Sequence, residues 1–95
     1  VVAVFLQGAG EKAFCAGGDV RRICTGVREN GIDDPYAQQF FTEEYKLDFL
    51  IHSFPKPVIV WGQGIVMGGG IGLMCGASHR VVTETSRLAI PEITI

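Results

Sequence analysis

The chain has 95 residues, a length that suits one small domain and no more. Hydrophobic residues make up 47% and charged residues 19%, a balance that fits a buried core and excludes disorder. The formal net charge of -2 comes without any basic stripe, which argues against a nucleic-acid partner.

Val1 to Gln7 is a near-continuous apolar run rich in β-branched residues, the pattern of a buried, parallel-type strand. Gly8 to Lys12 reads as a loop by its glycines. Ala13 to Gly18 is small and flexible, and Asp19 is placed to cap a short helix through about Arg28. A polar loop over 29–34 follows. Asp34-Pro35 is a helix start, with Asp as N-cap and Pro at the first helical position. That helix should run to about Ser53, because Ala37, Phe40, Phe41, Leu47, Leu50, Ile51 and Phe54 recur every three or four residues. Pro55 and Pro57 end it.

Val58 to Trp61 is a second buried strand. Gly62 to Met67 leads to a short apolar helix from about Gly69 to Cys75, with Gly76 as its C-cap. Arg80–Thr83 and Arg87–Ile90 read as two short strands around a polar turn. No sequence repeat and no low-complexity segment interrupts this order. Strands alternating with helices imply an α/β fold with crossover connections. Val1 starts inside one patterned run and Ile95 ends inside another, so residues 1–95 are expected to be part of a larger core, truncated at both ends.

Cys15, Cys24 and Cys75 are an odd set without metal-ligand spacing, which points to free thiols in a reducing compartment and to no metal site. His52 and His79 stand apart and read as structural or surface residues. The run Val58–Cys75 is broken by glycines and by Gln63, and no uninterrupted apolar stretch reaches the ~18 residues of a membrane span. No membrane partner is expected.

Four motifs carry chemistry. Gly8-x-Gly10-x-x-Ala13 after a strand matches a loose dinucleotide fingerprint, but the small residues after it make a poor helix, so a glycine-rich turn is the better reading. Ala13-Phe14-Cys15-Ala16-Gly17-Gly18-Asp19 lets a ligand approach bare backbone just before a helix start. It is either an ordinary turn or a donor set for a developing oxyanion. Met67-Gly68-Gly69-Gly70-Ile71-Gly72 admits the same two explanations, bare amides or tight helix–sheet packing. Glu92, after Pro91 at a strand end, is either a base or nucleophile or a solvated surface carboxylate. Cys15 has no neighbour in sequence that lowers its pKa and reads as a packed small residue.

Taken together these motifs resemble the crotonase (enoyl-CoA hydratase/isomerase) superfamily. Lys12-Ala13-Phe14-Cys15-Ala16-Gly17-Gly18-Asp19-Val20 is similar to its KAFxAGxD[IV] segment. Lys56-Pro57-Val58, Gly62-x-Gly64 and Met67-Gly68-Gly69-Gly70 are similar to its second signature. The resemblance implies a partial crotonase-like (ClpP/crotonase-like) α/β fold with repeated ββα units. Glu43-Glu44-Tyr45-x-Leu47-Asp48, Met67 to Leu73, His79-Arg80-Val81 and Pro91-Glu92 resemble the branch that hydrolyses 3-hydroxyisobutyryl-CoA in valine catabolism.

By that resemblance, the backbone amides of Gly18 and Gly69 form an oxyanion hole and Glu92 is the catalytic carboxylate. Glu44, Ala16, Gly17 and Gly68 contact the substrate. The implied substrate is an acyl-CoA thioester, with coenzyme A carried as part of it and no separate cofactor. A homo-oligomer is compatible with the resemblance. Both a bacterial cytoplasm and a mitochondrial matrix fit it. Hydratases of the superfamily place a glutamate three residues after the oxyanion glycine; here Gly72 stands there, which leaves a clear space opposite Glu92 and disfavours hydration. Two other readings stay open: an enoyl-CoA hydratase or isomerase, and a non-catalytic crotonase-like module. The family's second acid, an Asp shortly after Pro-Glu, falls beyond Ile95, which supports the last.

Overall fold

In the computed structural model, which describes residues 1–90, six strands and three helices follow one another. They are β1 (Val4–Gln7), β2 (Ala13–Cys15), α1 (Val20–Asn30), α2 (Pro35–Ser53), β3 (Val58–Gly62), β4 (Ile65–Met67), α3 (Gly69–Gly76), β5 (His79–Val82) and β6 (Arg87–Ala89). The strands come in pairs, and each pair divides itself between two sheets. The first members form a parallel sheet in the order β1-β3-β5, and the second members form another in the order β2-β4-β6. Helices fill the crossovers between pairs, so the chain repeats a ββα unit, as the resemblance implies.

The core is where these units meet. Val60 and Val66 have no exposed surface, and Ile51, Val58, Met74 and Ala77 close around them. β3 is the central strand of its sheet and alternates buried with half-buried residues. β1 sits at the sheet edge, so the run that reads as a buried strand is only half covered: Phe5 is exposed, and Val1 and Val2 precede the strand.

Both helix starts form as their sequences dictate. Asp19 Oδ1 accepts from the Arg22 amide at 3.0 Å, and Asp34 Oδ2 accepts from the Ala37 amide at 2.9 Å. Asp34 also takes a hydrogen bond from Asn30 Nδ2 at 2.8 Å and is 3% exposed. A Cβ at Gly26 would collide with its carboxylate, so α1 crosses α2 at this glycine. The Arg22 guanidinium, 3.9 Å from the Tyr36 ring centroid, ties the two helices a second time.

Several expectations need correction. Residues 13–15 and 65–67 are strands, not connectors; each is three residues long, too short to display a period of two. α1 runs on to Asn30. α3 includes Gly76, and Ala77 is its C-cap. β5 starts at His79, one residue early, and β6 stops at Ala89. The apolar positions of α2 are not one buried stripe, because Ala37 and Ile51 are buried while Phe41, Leu47 and Leu50 are exposed. His52 and His79 both lie at the surface, as expected.

The hydrogen bonds from the Ala37 amide and the Asn30 side chain hold the Asp34 carboxyl below its ordinary pKa. A lowered pKa in the fold means a stabilising contribution present above the ordinary carboxylate value and lost as pH falls through the lowered one. Asp34→Ala is expected to lower the denaturant midpoint at neutral pH. The gap to the parent should shrink in acid, and urea titrations at both pH values would read this.

Candidate functional site

The loop from β2 to α1 and the entry to α3 meet at one cavity. Its volume is about 270 Å³, and its walls include Gly17, Gly18, Gly69, Glu44, Phe40 and Leu73. Gly17 has φ +98°, a conformation that L side chains rarely adopt, and a Cβ there would stand 3.5 Å from the Gly69 nitrogen. Gly69 is the first residue of α3, so helix geometry gives its amide no intrahelical acceptor. Among the described residues neither the Gly18 nor the Gly69 amide donates to a backbone carbonyl. Two stretches far apart in sequence thus present bare backbone to the same space.

Each glycine here has a different neighbour. A Cβ at Gly18 would strike the Phe40 ring, which covers it from α2. A Cβ at Gly69 would lie 2.5 Å from Glu44 Oε1, so the Glu44 carboxylate rests directly against the α3 entry. A Cβ at Gly70 would collide with the Cys15 carbonyl oxygen, which is backbone meeting backbone. Gly68 turns the chain into α3 with φ 56° and donates its amide to Ala89 O at 3.1 Å.

Of the residues singled out from sequence, Gly17, Gly18, Gly69 and Glu44 come together at the cavity. Gly68 borders them without lining the cavity, and Ala16 is exposed in the loop after β2. Glu92 lies outside the described residues. After Gly8 and Gly10 the chain enters β2 and not a helix, so no helix N-terminus is available for a dinucleotide. Among the described residues no cluster of potential ligands could hold a metal ion. No helix of the described residues is long and apolar enough to cross a membrane.

Sequence reasoning missed part of the wall. Phe40 and Leu47 line the cavity, although they read as part of the apolar repeat of α2, and Leu73 lines it as well. It also missed the surroundings of Gly72. A Cβ at position 72 would point at the Asp48 carboxyl, with Oδ2 at 3.5 Å. Burial pushes the Asp48 pKa up. Its spacing of four from Glu44 on α2 was the available signal.

Residues 1–95 match the profile described as enoyl-CoA hydratase/isomerase over their whole length. The chain belongs to the enoyl-CoA hydratase/isomerase family. Curated relatives of this crotonase-superfamily chain include the mitochondrial 3-hydroxyisobutyryl-CoA hydrolase of Danio rerio, 45% identical over 92 residues, covering 97% of this chain and 23% of the relative. Another is the small ribosomal subunit protein mS47 of Neurospora crassa, 40% identical over 92 residues, covering 97% of this chain and 18% of the relative. Among solved structures, a carnitinyl-CoA dehydratase from Mycobacterium thermoresistibile superposes with a TM-score of 0.90 at 44% identity. That match covers 100% of this chain and 27% of that one. The chain therefore spans about a quarter of such relatives, and its fold is that portion of the crotonase fold.

Neighbouring glycines of this family member should separate fold from site. Gly70→Ala must move the Cys15 backbone and is expected to cost about 1–3 kcal/mol of stability. Gly69→Ala meets only the end of the Glu44 side chain, so its unfolding midpoint should stay near the parent's. Denaturant unfolding of both variants, alongside the parent, checks the contrast.

Proposed function

We propose that this chain carries the oxyanion-stabilising part of a CoA-thioester hydrolase acting on a short branched 3-hydroxyacyl group, of the 3-hydroxyisobutyryl-CoA type in valine catabolism. The observation that carries this reading is the convergence of Gly17–Gly18 and Gly69 on one cavity, with bare amides on both sides. The name of the Danio rerio relative supports the thioester and its acyl group.

In the proposed reaction the thioester oxygen lies between the amides of Gly18 and Gly69. Water adds to the carbonyl carbon, and negative charge builds on that oxygen. Amides already fixed by the fold stabilise the charge without reorganising, and one such donor is worth ~10²–10³ in rate. The positive end of the α3 dipole acts in the same direction at Gly69. The intermediate collapses with breakage of the C–S bond; coenzyme A leaves as a thiol after taking a proton, and the acid remains. Glu92 either takes the proton from the attacking water or attacks first to form a mixed anhydride that water opens. Glu44, against Gly69, meets the acyl end of the substrate, and Gly17, Ala16 and Gly68 form the surrounding backbone.

Hydration by two glutamates is disfavoured, because Gly72 offers no side chain to transfer a proton; the neighbouring Asp48 carboxyl stands 3.5 Å from where its Cβ would be. A second reading has its own support: the relationship to a ribosomal-subunit protein favours a non-catalytic crotonase-like module. The mitochondrial names of the relatives favour a mitochondrial matrix location. Partners under the hydrolase reading are the acyl-CoA and further copies of the chain.

The test is a thioesterase assay on the full-length protein with a panel of short acyl-CoAs. Gly69→Val should crowd the hole and reduce kcat by about 10²-fold or more, as loss of an oxyanion donor does. Glu92→Gln keeps shape, removes charge and should abolish most turnover. Near-normal hydrolysis in either variant refutes the assigned role, and no hydrolysis by the parent enzyme favours the non-catalytic module.

A further inference from the structure

Helices α2 and α3 meet along a seam whose α3 side is bare. Glycines 69, 72 and 76 recur at spacings of three and four, which puts them on one helical face. Opposite them α2 presents Glu44, Asp48 and Ile51. A Cβ at Gly69 would lie 2.5 Å from Glu44 Oε1, and one at Gly72 would lie 3.5 Å from Asp48 Oδ2. At Gly76 the neighbours would be the Asp48 carbonyl oxygen and Ile51 Cγ2, both at 3.6 Å. Two carboxyls one helical turn apart therefore face the same side of α3, Glu44 in close approach and Asp48 at ordinary contact distance from a Cβ. Glu44 faces the cavity, whereas Asp48 stands behind it and lines no part of the wall.

Asp48 is an unusual choice for this place. Its Oδ1 is buried and has no hydrogen-bond partner among the described residues. A buried carboxylate without a donor is costly, and a neutral carboxylic acid is much less so. Among the described residues burial alone acts on it, with no charged partner. α3 carries no charged side chain, and its titratable group is Cys75. On α2 the titratable groups within one turn are Glu44, Tyr45, Lys46 and His52; Lys46, two residues away, is exposed, and α1 meets α2 at the other end, at Gly26 and Asp34.

We propose that Asp48 is a positioning residue for Glu44: its carboxyl, facing the bare Cα of Gly72 across the α2–α3 seam, helps set the seam at which Glu44 reaches Gly69. The inference rests on the reading above in which Glu44 meets the substrate. As the neutral acid, Asp48 fills the seam and places no like charge behind Glu44. Once ionised, it sets a second negative charge one turn away, which favours the protonated form of Glu44 and opposes the helix. It also leaves an anion whose Oδ1 has no donor among the described residues. Burial pushes the pKa of the Asp48 carboxyl up from its ordinary value.

The sign of the linkage follows. A carboxyl whose pKa is raised in the fold contributes stability that is fully present below its unfolded value of about 3.9 and is lost as pH rises through the folded value. Asp48→Asn keeps the shape and never ionises.

The experiment uses the full-length protein with Asp48→Asn and Asp48→Ala, read in two ways that need no turnover and in one that does. The thermal midpoint of the parent should fall relative to Asp48→Asn as pH rises above the ordinary carboxylate range. The Glu44 carboxyl, followed by ¹³C NMR, should titrate differently in Asp48→Ala than in the parent at low pH and be restored in Asp48→Asn. In the thioesterase assay, Asp48→Ala should lower kcat/KM by about tenfold, mostly through KM, while Asp48→Asn stays near the parent and loses the pH dependence that Asp48 imposes. Parallel pH profiles of stability in the parent and Asp48→Asn, or one Glu44 titration common to all three proteins, overturn the proposal. An inactive parent with the first two results intact would instead sink the hydrolase reading and leave Asp48 as the residue that places Glu44.

Discussion

Backbone has to touch backbone where the end of β2 meets the start of α3, and the rest of the arrangement follows from that contact. The Cys15 carbonyl occupies the space a Cβ at Gly70 would need, and the Gly17 backbone lies against the Gly69 nitrogen. No side chain fits between them. The contact is possible because β2 and β4 are parallel neighbours in one sheet, so that the chain leaving β2 and the chain leaving β4 emerge on the same side. One glycine-rich exit then leads into α1 and the other into α3. Convergence of the two amide-bearing stretches is thus a consequence of parallel pairing, the arrangement that places ligand sites at the carboxyl ends of strands in many α/β proteins.

The same geometry decides what α2 can do. Because α3 starts with glycines and continues with them at 72 and 76, α2 packs against a surface without side chains, and its own polar groups reach the α3 backbone. Glu44 is therefore positioned by a helix and not by a loop, and Asp48 is held one turn further along the same face. The opposite face of α2 carries Phe41, Tyr45 and Phe49, spaced by four; Tyr45 is 65% exposed and Phe49 72%.

How much of this was legible in the sequence depended on whether a local rule governed the residue. Asp19 and Asp34-Pro35 start helices because a side-chain oxygen can satisfy an orphan amide three residues on, and both do so. Val58–Trp61 read correctly because a central parallel strand is apolar on both faces. β2 and β4 were illegible: three residues give no period, and the glycine just before β4 is dictated by a neighbour distant in the chain. Gly64 is required because the Lys12 carbonyl sits where its Cβ would be. Gly18 and Gly69 were found as motifs, yet their meeting belongs to the sheet pairing alone. Gly72 was read as an empty place, and only the fold puts the Asp48 carboxyl beside it.

Helix α3 links the site to the core most directly. Four of its eight residues are glycines, each less favourable than Ala by about 1 kcal/mol in a helix interior. A helix this short would not persist alone, since isolated helices below ~12–15 residues are marginal in water. What holds it is tertiary packing: Met74 is buried in the core, and Ile71 and Leu73 pack against that core. The bare amide at Gly69 is therefore fixed in part by Ile71 and Met74, which do not line the cavity. A donor fixed in this way needs little reorganisation as charge develops, which is the condition under which amide dipoles stabilise an oxyanion far better than water does. Glycine costs α3 its independence, and the core of Val60, Val66 and Met74 gives the amide the rigidity that a thioester carbonyl would require of it.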